Sequence, residues 1–297
     1  MIEARRFFCA AMSREQDERI YGTAARIRQW LLLEYAPVWR KKAIEDSGLP
    51  EDVRRHLCEL SRSVPSCRQL LIRQGLPGEI VPRCFLINSS ESRPQAWQVH
   101  LSGYDALPGR DLQSVRNNAT PLTSPLFMVC THGNHDKCCA KFGLPAFRAL
   151  KARAGQQVWE CSHVGGDRFA ANVICLPHGI YYGHVEPEDA AAIVDSYERG
   201  EIRLQNYRGR CCYVRAVQAA DYFLRLETGR LGIDDFQLES AAEKSGHCLV
   251  RFRAAGDNVY AVELRANADA LRTHLTCAAD EQSGVVQYEL IRCEVER

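Results

Sequence analysis

Short apolar runs alternate with polar stretches along this chain, and their periods predict its elements. Ser13 to Tyr35 reads as a helix running into an apolar strand, Trp30-Leu31-Leu32-Leu33-Glu34. Pro50-Glu51-Asp52 opens a second helix, with proline and acids where the positive end of the helix dipole favours them. Val53, Leu57 and Leu60 follow at helical spacing. Three strands are expected next, over 68–72, 84–87 and 96–101. Residues 105–125, rich in Pro, Gly, Asn, Ser and Thr, are the candidate linker.

A buried-strand pattern, Leu126-Phe127-Met128-Val129-Cys130, opens the second segment. A helical stretch near Pro145 to Leu150 follows and stops at Gly155; a strand then runs over 157–161. Residues 172–176 and 180–185 flank a Pro177-His178-Gly179 turn and read as a hairpin. Pro187 to Arg199 is a helix with Pro187 and acids at its start, Gly200 past its end, and Ala190, Ile193, Val194 and Tyr197 on its apolar face. A further helix is expected through Val214, Val217, Ala220, Phe223 and Leu224. Alternating strands follow at 247–252, 259–264 and 287–291, with Gly256-Asp257-Asn258 as a hairpin turn.

This order predicts three domains in an α/β (α+β) chain. Residues 1–115 form an α/β domain, a candidate cluster-free relative of the thioredoxin fold. Residues 116–228 run strand, loop, helix, strand, loop, strand, strand, helix, the order of a thioredoxin-like domain. Residues 229–297 form a small α+β appendage. In a thioredoxin-like arrangement the loops after the first two strands meet at one edge of the sheet. Those two loops carry the chain's densest chemistry: Cys130-Thr131-His132-Gly133-Asn134-His135-Asp136-Lys137-Cys138-Cys139, and Cys161-Ser162-His163-Val164-Gly165-Gly166-Asp167-Arg168.

Thiolate and imidazole are the side chains that hold soft and borderline transition metals, so the two loops suggest a metal or iron–sulfur site. Gly133 and Gly165-Gly166 allow backbone that side chains forbid. Arg168 is a candidate to offset the charge of a thiolate-bound cluster. His132 and His135 read as loop residues around the site, and His178 and His184 as packing residues. Trp159 reads as core or as a shield over the site.

Composition narrows the class. Hydrophobic residues make up 46% and charged residues 25%, as in folded soluble proteins. A net charge of +1 provides no general attraction to nucleic acid or anionic lipid. No apolar run has the length of a membrane span, and the first residues lack the pattern of a secretory signal. A cytoplasmic chain is therefore expected, in which 14 cysteines act as thiols or ligands rather than as a disulfide framework.

Cys130 to Cys139, together with Ser162-His163-Val164-Gly165-Gly166-Asp167-Arg168-Phe169-Ala170-Ala171-Asn172, resembles the sucrase/ferredoxin-like proteins. The likeness extends to Gly22-Thr23-Ala24, Trp30 to Glu34, Arg68 to Arg73, Leu176 to Gly183 and Tyr207 to Arg210, and covers roughly residues 5–225. It implies a thioredoxin-like ferredoxin that carries a 2Fe-2S cluster, serves as an electron carrier rather than an enzyme, and meets a redox partner protein. It implies no sucrase activity, since the paired carboxylates of a glycosidase are missing from the motifs. The family's ligands are two cysteines and two histidines, the histidines separated by three residues. Cys130 and Cys139 match the cysteines, with Cys138 as the rival to Cys139, and His163 matches the first histidine. Asp167 stands where the second histidine is expected. Cys161, two residues before His163 on a strand and softer than a carboxylate, is the preferred fourth ligand over Asp167. Two rival readings stay open: a structural zinc site and a thiol-disulfide oxidoreductase using Cys138 or Cys139.

Overall fold

The structure, a computed structural model, describes residues 7–74, 82–256 and 258–296. Its centre is a ten-stranded sheet made of two similar halves. The first half comprises β1 (Gln29–Glu34), β2 (Cys67–Arg73), β3 (Arg83–Asn88), β4 (Gln95–His100) and β5 (Thr120–Leu122). The second comprises β6 (Leu126–Cys130), β7 (Val158–Cys161), β8 (Val173–Leu176), β9 (Ile180–Tyr182) and β10 (Tyr207–Arg210). The spatial order is β10-β9-β8-β6-β7-β2-β1-β3-β4-β5. In each half the first strand lies between a parallel second strand and an antiparallel third. The same thioredoxin-type order thus occurs twice, and the halves join edge to edge where β2 meets β7 antiparallel, Ile72 opposite Cys161 and Arg73 opposite Glu160.

The strands explain the layers. Strand residues alternate between faces, and central strands covered on both faces read as continuous apolar runs. Trp30, Leu32, Leu70, Ile72 and Phe85 share one cluster with Met128, Cys130, Trp159, Cys161 and Ile174, so one face of both halves builds a common core. On the other face, Leu31, Leu33 and Leu71 pack with Val53 and Leu57 of α2 (Glu51–Ser63). Phe127, Val129 and Val173 pack with Ala146 and Leu150 of α4 (Lys137–Ala154) and with Ile193 and Val194 of α5 (Ala190–Glu198). Each such leucine or valine, once buried, contributes about 1.5–3 kcal/mol.

The remaining helices are α1 (Cys9–Glu15), α3 (Leu112–Asn117) and α6 (Arg215–Thr228). Helix α6 lies against a second, antiparallel sheet of β11 (Phe236–Lys244), β12 (His247–Ala254), β13 (Val259–Thr273) and β14 (Ser283–Glu296). Buried Asp221 on α6 takes the Tyr207 hydroxyl at 2.5 Å and Arg225 Nε at 3.0 Å, which ties this helix to β10. Among the described residues no helix is long and apolar enough to cross a membrane.

Several sequence expectations change in detail. The helix expected from Ser13 is instead Cys9–Glu15, and residues 16–28 carry no helix. There the amides of Thr23, Ile27 and Arg28 bond instead to the carbonyls of Arg208, Cys211 and Ser66. The linker 105–125 contains α3 and β5, because β5 can pair with β4 at Trp97. Helix α4 starts at Lys137, well before the expected stretch, and runs through Pro145. The segment read as an appendage contributes the four strands, including β11, which the sequence pattern did not single out; the helix covering them precedes it in the chain. The Gly256-Asp257-Asn258 turn includes Asp257, which lies outside the described residues, as do residues 1–6 of the N-terminal stretch.

Candidate metal centre

Strand β6 ends on Cys130 at the rim of the sheet. After the loop, the Asp136 carboxylate caps α4 by accepting from the Cys138 amide at 2.8 Å, a standard role for Asp at a helix start. Cys138 and Cys139 then occupy the first turn. Successive residues on a helix diverge by about 100°, so their thiols face different ways. Helix α4 comes close to Cys130 because Gly143 has no side chain: a Cβ there would stand 2.1 Å from the Cys130 carbonyl oxygen.

The second loop follows β7, whose last residue Cys161 is opposite Cys130 in parallel register. Gly166 has φ +79, and a Cβ on it would meet Arg208 Nη2 at 2.5 Å. Arg208, buried, donates to the Gly165 carbonyl, the Asn172 side chain and the Thr23 carbonyl. This guanidinium holds the loop between His163 and Asp167 in place.

The two loops meet. The ligand atoms of Cys130, Cys139 and His163 lie within 4.8 Å of one another. Asp167 Oδ1 accepts from Cys139 Sγ at 3.4 Å and sits 3.0 Å from His163 Nδ1. That oxygen is near enough for an ion pair but off the line of a hydrogen bond, so buried Nδ1 has no aligned partner. The His135 ring stacks on His163 with centroids 3.7 Å apart, and its Nε2 lies 3.9 Å from Asp167 Oδ2. His132 Nδ1 accepts from the His163 amide at 3.2 Å, and its Nε2 meets the Arg40 carbonyl at 2.7 Å, so both its nitrogens are used within the fold.

The thiols titrate as a pair. The hydrogen bond from Cys139 holds the Cys130 thiol well below its ordinary value, and contact with His163 adds to this. The same bond drives the Cys139 thiol well above its own. Burial opposes charge on His163, but Asp167 and Cys130 outweigh it and hold the imidazole up at about 9. Burial pushes the Cys161 thiol well up, with Cys130 adding to the effect.

Cys161 is fully buried beside Cys130, and neither it nor Asp167 lies within 4.8 Å of all three converging donors. Cys138 points to Cys9 and Cys277 instead. Arg168 does not face the thiols: Glu18 takes its guanidinium at 2.7 Å. Buried Trp159 is core, stacked edge-on to Phe85. The sequence reading missed the contact of His135 with Asp167, which no spacing within one loop encodes. It also passed over Asp136, although an Asp before a helix start is a legible capping signal.

This arrangement can hold metal. Two converging thiols, a buried imidazole nitrogen without an aligned partner, and a carboxylate form a donor set that fits a 2Fe-2S cluster or a tetrahedral cation. Exposure is lopsided. Cys130 and Cys139 are 1% and 0% exposed, whereas the His163 and His135 side chains are 20% and 33% exposed. Attack on an outside disulfide needs an accessible thiolate, and these sulfurs offer none. The imidazoles instead face a cleft of about 550 Å³ whose rim carries Lys41, Lys42, Arg62 and Arg68.

Residues 20–209 match the family described as sucrase/ferredoxin-like. Curated proteins similar to the chain include three named "Altered inheritance of mitochondria protein 32". That of Meyerozyma guilliermondii is 27% identical over 130 residues, 40% of this chain and 46% of that protein. That of Debaryomyces hansenii is 38% identical over 95 residues, 28% of this chain and 35% of that protein. The chain spans less than half the length of the curated relatives it matches. Among solved structures, a cysteine-to-serine variant of the thioredoxin-like [2Fe-2S] ferredoxin from Aquifex aeolicus aligns at 21% identity, covering 26% of this chain and 89% of that one, with a TM-score of 0.23.

Proposed function

The chain belongs to the sucrase/ferredoxin-like family, and on that premise we propose that it is an electron-transfer protein carrying a 2Fe-2S cluster with mixed cysteine and histidine ligation. The observation that supports this best is the convergence of Cys130, Cys139 and His163 from two loops onto one point. In this reading those three are ligands. Asp167 takes the fourth position ahead of Cys161, because its carboxylate touches both Cys139 and His163.

When bound, such a cluster takes up and releases one electron at a time. The chain's own residues set the conditions for that exchange. An imidazole in place of a thiolate removes negative charge and raises the potential above that of all-cysteine ferredoxins. Buried sulfurs keep water from the thiolate side, and the half-exposed imidazoles form the short way out to a partner. Lys41, Lys42, Arg62 and Arg68 around that cleft suit a redox protein with an acidic docking face. A chain that uses 14 cysteines as thiols and ligands suits a reducing compartment, and the cytoplasm is the proposed location.

Visible absorption and electron paramagnetic resonance of anaerobically purified protein, with iron and acid-labile sulfide assays, test the reading. Equal amounts of iron and sulfide, with a signal that appears on reduction, are expected. Colourless protein with zinc bound at Cys130 and Cys139 would replace the electron carrier by a structural metal site.

A further inference from the structure

A second group of donors lies on the other side of Cys138. Cys138 Sγ is 3.6 Å from Cys9 Sγ and 3.2 Å from Cys277 Sγ, and Cys277 Sγ is 3.6 Å from Cys9 Sγ. The Asp136 carboxylate joins them, all four ligand atoms lying within 4.8 Å of one another. These residues come from three distant parts of the chain: α1, the start of α4, and the connection between β13 and β14. We propose that Cys9, Cys138, Cys277 and Asp136 form a second metal site, for a single zinc-type divalent cation, separate from the site of Cys130 and Cys139.

Geometry favours a cation over the alternatives. The sulfurs stand 3.2 to 3.6 Å apart and are not bonded to one another. The circle through them has a radius of about 2 Å, so a cation about 2.3 Å from each sits just off their plane. Three thiols also leave an odd one in any disulfide pairing, whereas three thiolates and a carboxylate complete a tetrahedron. Backbone amides face two of the sulfurs. The Ala10 amide donates to Cys138 Sγ at 3.5 Å, and the Cys9 amide donates to Cys277 Sγ at 3.4 Å. Asp136 is oriented by the Cys138 amide at 2.8 Å and the Cys277 amide at 2.6 Å, each bond leaving further lone pairs on its oxygens. The positive end of α4 points at the group. The ammonium groups of Lys137 and Lys141 stand 5.0 and 3.6 Å from the Phe8 ring, next to Cys9 in the chain. Cys9 and Cys138 are buried, while Cys277 is half-buried and leaves a way in from solvent.

Binding releases the thiol protons to solvent and clamps three segments together.

The intact chain is freed of loosely bound metal, incubated with zinc or with cobalt as a spectroscopic substitute, and treated with a thiol-alkylating reagent before peptide mapping. Zinc is expected to slow alkylation of Cys9, Cys138 and Cys277 at least tenfold, and cobalt to show thiolate charge-transfer absorption. Cys9→Ser and Cys277→Ser should each lower zinc affinity at least tenfold while iron, sulfide and the visible spectrum of the other site persist. Equal alkylation of the three cysteines with and without zinc overturns the proposal, even if the variants fail to fold. So does a native disulfide between any two of them, or undiminished protection by zinc of the remaining two cysteines in both variants. Alkylation at Cys130 and Cys139 is read separately, and absence of iron there would sink the electron-carrier reading without touching this one.

Discussion

Cys138 and Cys139 are consecutive on α4, yet their thiols belong to different clusters: Cys138 meets Cys277 at 3.2 Å, and Cys139 meets Asp167 at 3.4 Å. One helical step of about 100° is enough to separate them. The first turn of α4 is therefore a partition between two groups of metal-type donors, and its placement decides both.

That placement depends on Gly143. Replacing a helix-interior glycine by alanine ordinarily stabilises by about 0.5–1 kcal/mol. Here the new methyl would stand 2.1 Å from the Cys130 carbonyl oxygen, so the sign reverses. Gly143→Ala is expected to destabilise by about 1–3 kcal/mol and to lower iron content, because α4 must move off β6 and carry Cys139 from Cys130. Urea unfolding together with iron analysis checks this. A more stable variant with an intact spectrum would show that the close approach does not matter.

The fourth ligand is read from two alanine variants. Asp167→Ala is expected to lose iron or shift the paramagnetic signal, since its carboxylate touches Cys139 and His163. Cys161→Ala should keep the signal and cost about 1–2 kcal/mol, as for loss of a small buried apolar side chain. The reverse outcome would transfer the fourth position to Cys161.

Ligation by His163 sets the potential. His163→Cys adds a negative charge and should lower the reduction potential by on the order of 100 mV. Its pH dependence should weaken at the same time, because a thiolate ligand has no second ring nitrogen to titrate. Protein-film voltammetry between pH 6 and 9 measures both effects. An unchanged potential would remove His163 from the ligand set.

Acid sensitivity is expected from a residue remote from both sites. Burial, aided by Arg210, pushes His178 down to about 4, and its Nδ1 lies 2.6 Å from the Tyr197 hydroxyl. The unfolded chain takes up this proton near pH 6.5 and the folded chain only near 4, so the unfolded state binds more protons in that window. Stability from His178 is thus complete above about pH 6.5 and falls as pH drops toward 4, by on the order of 2 kcal/mol. His178→Asn should flatten the fall between pH 7 and 5 in urea titrations. Equal slopes in both proteins would contradict the assignment.

By itself the sequence determined the strands that lead into the two loops, though not where α1 and α4 begin. The apolar runs at Leu31, Leu70 and Val129 read as covered strands, and the proline, acids and glycine around Ala190 as the bounds of a helix. It also determined that thiol and imidazole crowd two loops, and the order of elements was enough to expect those loops at one rim. Such signals are local: they arise from side-chain period, capping and backbone preference within a few residues.

Tertiary structure alone decided the rest. Joining two halves through β2 and β7 uses backbone hydrogen bonds, which carry no side-chain signature along the chain. Arg168 looked available to the thiols until Glu18 claimed it. Cys9 and Cys277 looked like isolated thiols, because nothing near either one in sequence names the other, 268 positions away. Helix α1 and the β13–β14 connection meet at the first turn of α4 and bring them together on Cys138, one helical step of about 100° from Cys139.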